Sequence, residues 1–420
     1  MERSAYLIVG SSHAGLAALD AIRLQDRDGR MTLVTQEDAL PYSPTILPYL
    51  VSGKVKGEKV FLRDEGALDR LGVGFRRAAK VVALDPKAQT VRLDAGEILG
   101  FEKLLLATGA APIIPPIEGL QETPYHVLRT LEDALGLRSA MGKANQTVVL
   151  GAGLIGMHAA ENLAKGGVKV TVVEALPQVL PGYFDQDAAA LIQKAFAAEG
   201  VRIMTGAKVT RADNVEGKPA LTLANGETLS ADLLLVSAGV KPRIGYLQGS
   251  GVNTEEGILV DERMRTNLPG IWAAGDVAQA KGFFSSGKRV NATLPSAVEQ
   301  GRIAGMDMVG DPALKTYAGG IALNSYKFFG HRAFAVGLSA VPRSGDGFEV
   351  DQVFLPTSLR YQKLVFKDNR LVGAAGINSD LDPGIMCQLI RRGVDLAAVK
   401  SRFSAAPLET SRYLMSIMWR

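Results

Sequence analysis

Cysteine is almost absent from this chain: Cys387 is the only one in 420 residues. An iron–sulfur cluster takes about four cysteine ligands and a redox dithiol takes two, so one chain can furnish neither. A disulfide framework is excluded on the same count. Histidine is nearly as scarce. His13, His126, His158 and His331 are all there are, and no two lie at a helical i, i+3 or i+4 spacing, so no metal site is expected. Long apolar runs are missing too. The longest uncharged stretch, 144–160, is about 17 residues with three glycines; it reads as strand–turn–helix and is too short and broken to cross a bilayer. The apolar run at 5–9 is cut at once by Gly10, two serines and His13, so no secretory signal is read. With one cysteine and no export signal, a cytoplasmic location is expected. Any redox chemistry has to run on a borrowed organic cofactor.

What is present is an ordinary folding composition, 47% hydrophobic and 21% charged, with enough length for two to four domains. Lys+Arg 47 against Asp+Glu 43 gives +4, yet residues 360–420 hold ten Lys/Arg and five Asp/Glu. The basic excess therefore sits in the last seventh of the chain. It suits an acidic partner protein better than nucleic acid, and equally suits a plain solvated face.

One arrangement occurs twice. SAYLIV at 4–9 is an apolar strand, GSSHAG at 10–15 a glycine turn, LAALDAIRLQ a helix, and MTLVTQE at 31–37 a second strand ending in Glu37. TVVL at 147–150, GAGLIG at 151–156, AAENLAKGG and VKVTVVE at 168–174 repeat the design, ending in Glu174. Each half closes on an apolar strand running into a small-residue turn, LLLATGAAP at 104–112 and LLLVSAGVKP at 233–242. Two βαβ units imply two nucleotide-binding domains on parallel sheets. In the second, Gly151 makes the tight turn and Gly153 lets the backbone approach a pyrophosphate. Gly156 lets the helix pack on its strand, and Leu154 and Ile155 open that helix beside the phosphates. Glu174 lies 23 residues after Gly151, where a carboxylate accepts both hydroxyls of an adenosine ribose. No Lys or Arg follows it in ALPQVLPG, which favours NADH over NADPH. The first unit departs from this fingerprint. Ser12 replaces the middle glycine, and the usual acid position holds Thr35, with Glu37 two residues on. Taken alone, that unit can be a purely structural βαβ.

A third segment bears on the choice. IWAAGDVA at 271–278 is a strand emptying into Gly275-Asp276, where an acid can bond the polyol chain of a flavin. Pro295-Ser296-Ala297 then opens a helix whose N-terminus would stabilise negative charge on a reduced ring. By itself Asp276 could equally cap a surface turn.

These pieces, in this order, resemble the two-dinucleotide-binding-domain flavoproteins of the pyridine nucleotide–disulfide oxidoreductase superfamily, over roughly residues 4–315. The resemblance implies an α/β fold of two Rossmann-like domains plus a smaller α+β C-terminal interface domain. It implies FAD on Gly10, Ser12, His13, Ala14, Gly15, Glu37, Val81, Ala107, Thr108, Gly109, Gly275, Asp276 and Ala297. It implies NAD on Gly151, Gly153, Leu154, Ile155, Gly156, Glu174 and Gly239. The FAD domain would comprise 1–115 and 245–315, the NAD domain 116–244, the interface domain 316–400, and a docking tail 401–420. The segment PYSPTILPYLVSGK at 41–54 lacks the cysteines of the disulfide reductases and NADH oxidases. Together with YQKLVFKDNRLVGAAGINSDLDPG at 361–384, it resembles instead the rubredoxin, nitrite and ferredoxin reductase-like branch, NADH-dependent rubredoxin reductases and the flavin portion of assimilatory nitrite reductases among them. Within that branch the chain resembles the flavoprotein subunit of multi-subunit 2-oxoacid:acceptor oxidoreductases.

The implied function is an enzyme that moves electrons between NAD(H) and an iron–sulfur protein partner, with nicotinamide stacked on flavin and no acid–base side chain required. A stand-alone reductase or NADH oxidase, and a non-catalytic FAD-containing subunit, are the alternatives. No catalytic residue is assigned. Tyr49 stands where related reductases often carry a lysine near the flavin. His158 stands where the superfamily often has a glutamate, as either a nicotinamide-pocket residue or a packed helix residue.

Beyond about residue 315 the pattern changes to glycine-punctuated strands at 322–339, further strands at 348–355 and 361–366, a polar turn at 367–370, and a short helix from Ile385 to Arg392. This fits the superfamily's interface domain, which usually dimerises, so the resemblance implies a homodimer through it. The last residues, with Leu414, Met415, Ile417, Met418 and Trp419 apolar, either dock on a partner or fold back on their own domain.

Overall fold

The structure, a computed structural model, describes residues 2–341 and 347–418. The chain forms two compact units, one of 1–112, 129–132 and 240–320, the other of 113–128, 133–239 and 321–420. The mixed α/β architecture with Rossmann-like sheets matches the fold class expected from the repeated βαβ pattern. No helix among the described residues is long and apolar enough to cross a membrane.

The first unit is built on a seven-stranded sheet. Its parallel part runs Val73–Arg76, Met31–Val34, Glu2–Val9, Ile98–Leu106 and Ile271–Ala273, and the antiparallel strands Thr90–Leu93 and Val81–Asp85 extend it. Val9 pairs with both Val34 and Leu106, and Leu106 with Ala273. The parallel strands therefore end level, and their carboxyl ends form the ledge on which such sheets bind ligands. Towards these ends the inner strands are buried on both faces, and residues 7–9, 33–34, 104–106 and 271–273 are continuous apolar runs rather than alternating ones. Helices His13–Gln25 and Leu294–Val309 cover one face. They meet closely because a Cβ at Gly301 or Gly305 would overlap the backbone of Ala14 or Ala18.

The second unit holds a four-stranded parallel sheet, Arg202–Met204, Lys169–Val173, Gln146–Leu150 and Leu233–Val236. These strands too end level, with Met204 and Leu150 both opposite Val173 and Val236 opposite Leu150. A five-stranded antiparallel sheet follows in the order Leu323–Phe328, His331–Gly337, Arg370–Ile377, Arg360–Lys367, Glu349–Leu355. Its tight hairpin at Asp368-Asn369 has both residues at positive φ, 49° and 56°, the two-residue turn whose twist matches the strands. Lys363 is fully buried in this sheet. Its Nζ donates to Asp185 Oδ2 at 2.8 Å and to the Val341 carbonyl, and the Tyr361 hydroxyl donates to the same Oδ2 at 2.5 Å. Asp185 also caps helix Gln186–Ala198. Burial alone would raise its carboxyl, but hydrogen bonds from Lys363, Tyr361 and the Ala188 N–H outweigh that and hold it below the ordinary range.

The C-terminal tail is helical, Lys400–Ala405 and Pro407–Met418. Phe403 is fully buried edge-on to Phe366, and Leu414 is buried, whereas Tyr413 and Ile417 are about half exposed. Of the apolar tail residues, Trp419 lies outside the described residues, and only the backbone of Met418 is described. Within the basic segment Arg360 pairs with Asp380, Lys400 with Glu349 and Arg402 with Glu409.

Candidate functional site

The two glycine turns are near-copies. Gly10 (φ 119°) and Gly151 (φ 107°) sit where a Cβ would overlap the carbonyl oxygens of Ala107 and Ser237, so only glycine fits the turn. A Cβ at Gly15 or Gly156 would overlap the carbonyl oxygen of Gly10 or Gly151 respectively, which is how each helix reaches its turn. The middle positions also match. Ser12 (φ −92°, ψ −163°) and Gly153 (φ −74°, ψ −178°) are both extended helix caps whose side chains, if any, make no capping bond. Ser12 is therefore unstrained, and a Cβ at Gly153 would meet open space.

Above the level strand ends of the first unit lies a cavity of about 770 Å³, within the size range of cofactor pockets. Of the residues expected to hold FAD, Gly10, Ser12, Glu37, Val81, Ala107, Thr108 and Gly109 line it; His13, Ala14, Gly15, Gly275, Asp276 and Ala297 do not. Those others stand around it. Gly275 packs where a Cβ would lie 3.0 Å from the Ala14 side chain and 3.7 Å from that of Ala297. Its N–H donates to Gln300 Oε1 at 2.8 Å. His13 Nε2 lies 2.8 Å from Ser43 Oγ, and burial pulls this imidazole down against the charge of Asp276.

Among the lining residues that the sequence did not single out are Tyr42, Lys80, Arg129, Lys241 and Arg243. Arg129 donates to the Ala110 carbonyl at 3.1 Å and to Asp276 Oδ2 at 3.0 Å, so Asp276 faces the cavity through a guanidinium. Arg243 also donates to Ala110 O, at 3.1 Å. Four cations against Glu37 and Glu256 suit the pyrophosphate of a dinucleotide, and no local motif marks them. Helix Leu294–Val309 starts as expected near Pro295. Thr293 at its cap keeps a buried Oγ1 with no partner among the described residues. With its size, its cations and its glycine-floored turn, the cavity fits FAD.

Glu37 corrects one expectation. The second strand stops at Val34, so Glu37 lies on the following loop rather than at the strand's end. Thr35, at the usual acid position, is buried. The Glu37 carboxylate still reaches the cavity, accepting the Tyr42 hydroxyl at 2.7 Å.

In the second unit Glu174 directly follows strand Lys169–Val173 and is 9% exposed. One oxygen accepts the Ala152 N–H at 2.7 Å and the other the Leu176 N–H at 2.8 Å. Each oxygen keeps a lone pair for a ribose hydroxyl. Leu154 and Ile155 open helix Leu154–Lys165 half-buried. Gly239 (φ 105°) accepts from the Ile113 N–H at 2.9 Å. His158, half-buried, lies 4.9 Å from the Tyr326 ring. Tyr49 is not among the residues lining the cavity; its ring lies 5.8 Å from Lys54 Nζ. Among the described residues no group of three or more His, Cys, Asp or Glu could hold a metal.

Comparison with known proteins places these features. The chain is 52% identical, over 100% of its length and 99% of the relative's, to the NADH-dependent phenylglyoxylate dehydrogenase subunit epsilon of Aromatoleum evansii. It is 30% identical to the rubredoxin-NAD(+) reductase of Pseudomonas putida, over 73% of this chain and 80% of that one. Its fold is that of the reductase in the covalent putidaredoxin reductase–putidaredoxin complex, with a TM-score of 0.86, 23% identity, and 97% and 99% of the two chains covered. The model of the pyridine nucleotide-disulphide oxidoreductase family matches residues 4–301. The chain belongs to that family.

Proposed function

We propose that this oxidoreductase binds FAD in the first unit and NAD(H) in the second, and moves electrons between NAD(H) and an iron–sulfur protein as the flavoprotein subunit of a larger complex of the phenylglyoxylate dehydrogenase type. The observation that carries the reading is the 52% identity to a subunit of that enzyme over the whole chain. The single cysteine supports it, because the onward carrier has to come from another chain.

Bound flavin would supply the chemistry, exchanging electron pairs with NAD(H) and single electrons with an iron–sulfur carrier. The chain's own residues bind and orient. Gly10 and Ser12 would let the first turn approach the FAD pyrophosphate, with Arg129 and Arg243 as its counter-charges. Asp276, held by Arg129, would accept from the polyol chain, and Val81 would face the adenine. Glu174 would take the ribose hydroxyls of NAD(H) and reject a 2′-phosphate by charge repulsion, no cation standing beside it in 175–178. The FAD domain would be 1–115 with 245–315, the NAD domain 116–244. Residues 316–400 would form an interface domain available for homodimerisation, and the tail would offer Tyr413 and Ile417 to a partner. A cytoplasmic location goes with this reading.

Purified alone, the protein should reduce an artificial dye with NADH and gain physiological activity only when its partners are added. Affinity purification from the native cell at low salt tests the subunit role. Iron–sulfur subunits should come with it; recovery of a homodimer alone would overturn that role and leave a stand-alone reductase.

A further inference from the structure

Sequence pattern places the first unit's acid wrongly for binding a ribose, since the strand ends at Val34 and Glu37 hangs three residues further on a loop. Left to itself, a glutamate there would sample many rotamers, and fixing one costs side-chain entropy. The structure shows what fixes it. Tyr42, 7% exposed, donates its hydroxyl to Glu37 Oε2 at 2.7 Å, and the same hydroxyl accepts the Leu131 N–H at 2.9 Å. The phenol is thus held on one side by backbone, and its remaining proton can only point at the carboxylate. Two backbone bonds steady the same loop, Ala78 N–H to the Glu37 carbonyl at 3.2 Å and Ala79 N–H to that of Thr35 at 2.9 Å. Burial and the neighbouring Glu37 charge both push the Tyr42 phenol up, well away from ionising near neutrality.

We infer that Tyr42 is a positioning residue for FAD. Through Leu131 and Glu37 it holds the displaced carboxylate at the adenosine end of the cavity, performing from the side what a strand-end acid does by its place in the sequence. This rests on the proposed FAD site. Glu37 Oε1 is left for the ribose, so Tyr42 acts on the adenosine half of the cofactor and not on the flavin half.

Deflavinated protein titrated with FAD and, separately, with FMN tests this, because FMN lacks the adenosine. Tyr42→Phe should weaken FAD binding by about three- to tenfold, no more than removing Glu37 itself, and leave FMN binding within about twofold. In a Glu37→Ala background, adding Tyr42→Phe should weaken FAD by less than about twofold further, since the pair acts as one unit. Equal weakening of FAD and FMN would reduce Tyr42 to a structural residue, and unchanged FAD binding would remove its role; either overturns the inference. Wild-type protein that binds FMN as tightly as FAD would do the same. Wild-type protein that binds neither flavin would overturn the FAD site itself, and the role of Tyr42 with it.

Discussion

In the second nucleotide-binding fold the acid follows its strand directly, and backbone holds it: Glu174 takes one N–H from the glycine turn at Ala152 and one from its own loop at Leu176. In the first fold the acid stands three residues past its strand, and a side chain holds it, the Tyr42 hydroxyl. The turns beneath them are alike in conformation, down to the extended caps Ser12 and Gly153. The same turn can therefore be served by a carboxylate that backbone N–H groups hold at the strand's end, or by one that a side chain holds further along the loop. Only the first arrangement leaves a recognisable spacing.

Substituting the turns themselves should break the comparison hardest. Gly10→Ala and Gly151→Ala each force a Cβ into a carbonyl oxygen at positive φ, and each should destabilise by about 3 kcal/mol or more. Thermal unfolding and flavin content separate them: the first should purify without FAD, the second with FAD that NADH no longer reduces. Next in size is the acid. Glu174→Ala strips the acceptor from two N–H groups as well as from the ribose. It should raise the KM for NADH about 100-fold, whereas Glu37→Ala should weaken FAD only about tenfold. Comparable effects in steady-state kinetics and flavin titration would erase the distinction between the two acids.

A third test separates binding from structural carboxylates. Asp185 has a folded pKa below its ordinary value, so its contribution is fully present above about pH 4. It is lost as pH falls through the lowered value, where the unfolded chain binds more protons. Asp185→Asn should lower stability at neutral pH and flatten its decline in acid, as read by denaturant unfolding at several pH values. The smallest effects belong to the middle position of the turn. Gly153→Ser meets open space and should weaken NADH by no more than about tenfold, while Ser12→Gly should change stability by about 1 kcal/mol or less.

The two folds were readable because glycines at positive φ and apolar strands leave local marks. Gly10, Gly15, Gly151 and Gly156 are dictated by contacts within a few residues or with one neighbouring strand. Arg129 and Arg243 were invisible because they enter the cavity from segments about 120 and 230 residues from Gly10, and nothing around them repeats. Glu37 was placed at a strand end because MTLVTQE alternates plausibly as one strand. The chain leaves the sheet at Val34 and returns to Ala78 and Ala79 through loop hydrogen bonds that no spacing announces. Lys363 read as one basic residue among ten in 360–420, and its burial against Asp185 comes from a partner 178 residues away.

The central claim is that this chain exchanges electrons between NAD(H) and another protein through its flavin. Anaerobic titration of the purified protein with NADH, followed by the visible flavin absorbance, tests it most directly. The account predicts bleaching by stoichiometric NADH and little by the same amount of NADPH; a flavin still oxidised after excess NADH would contradict it.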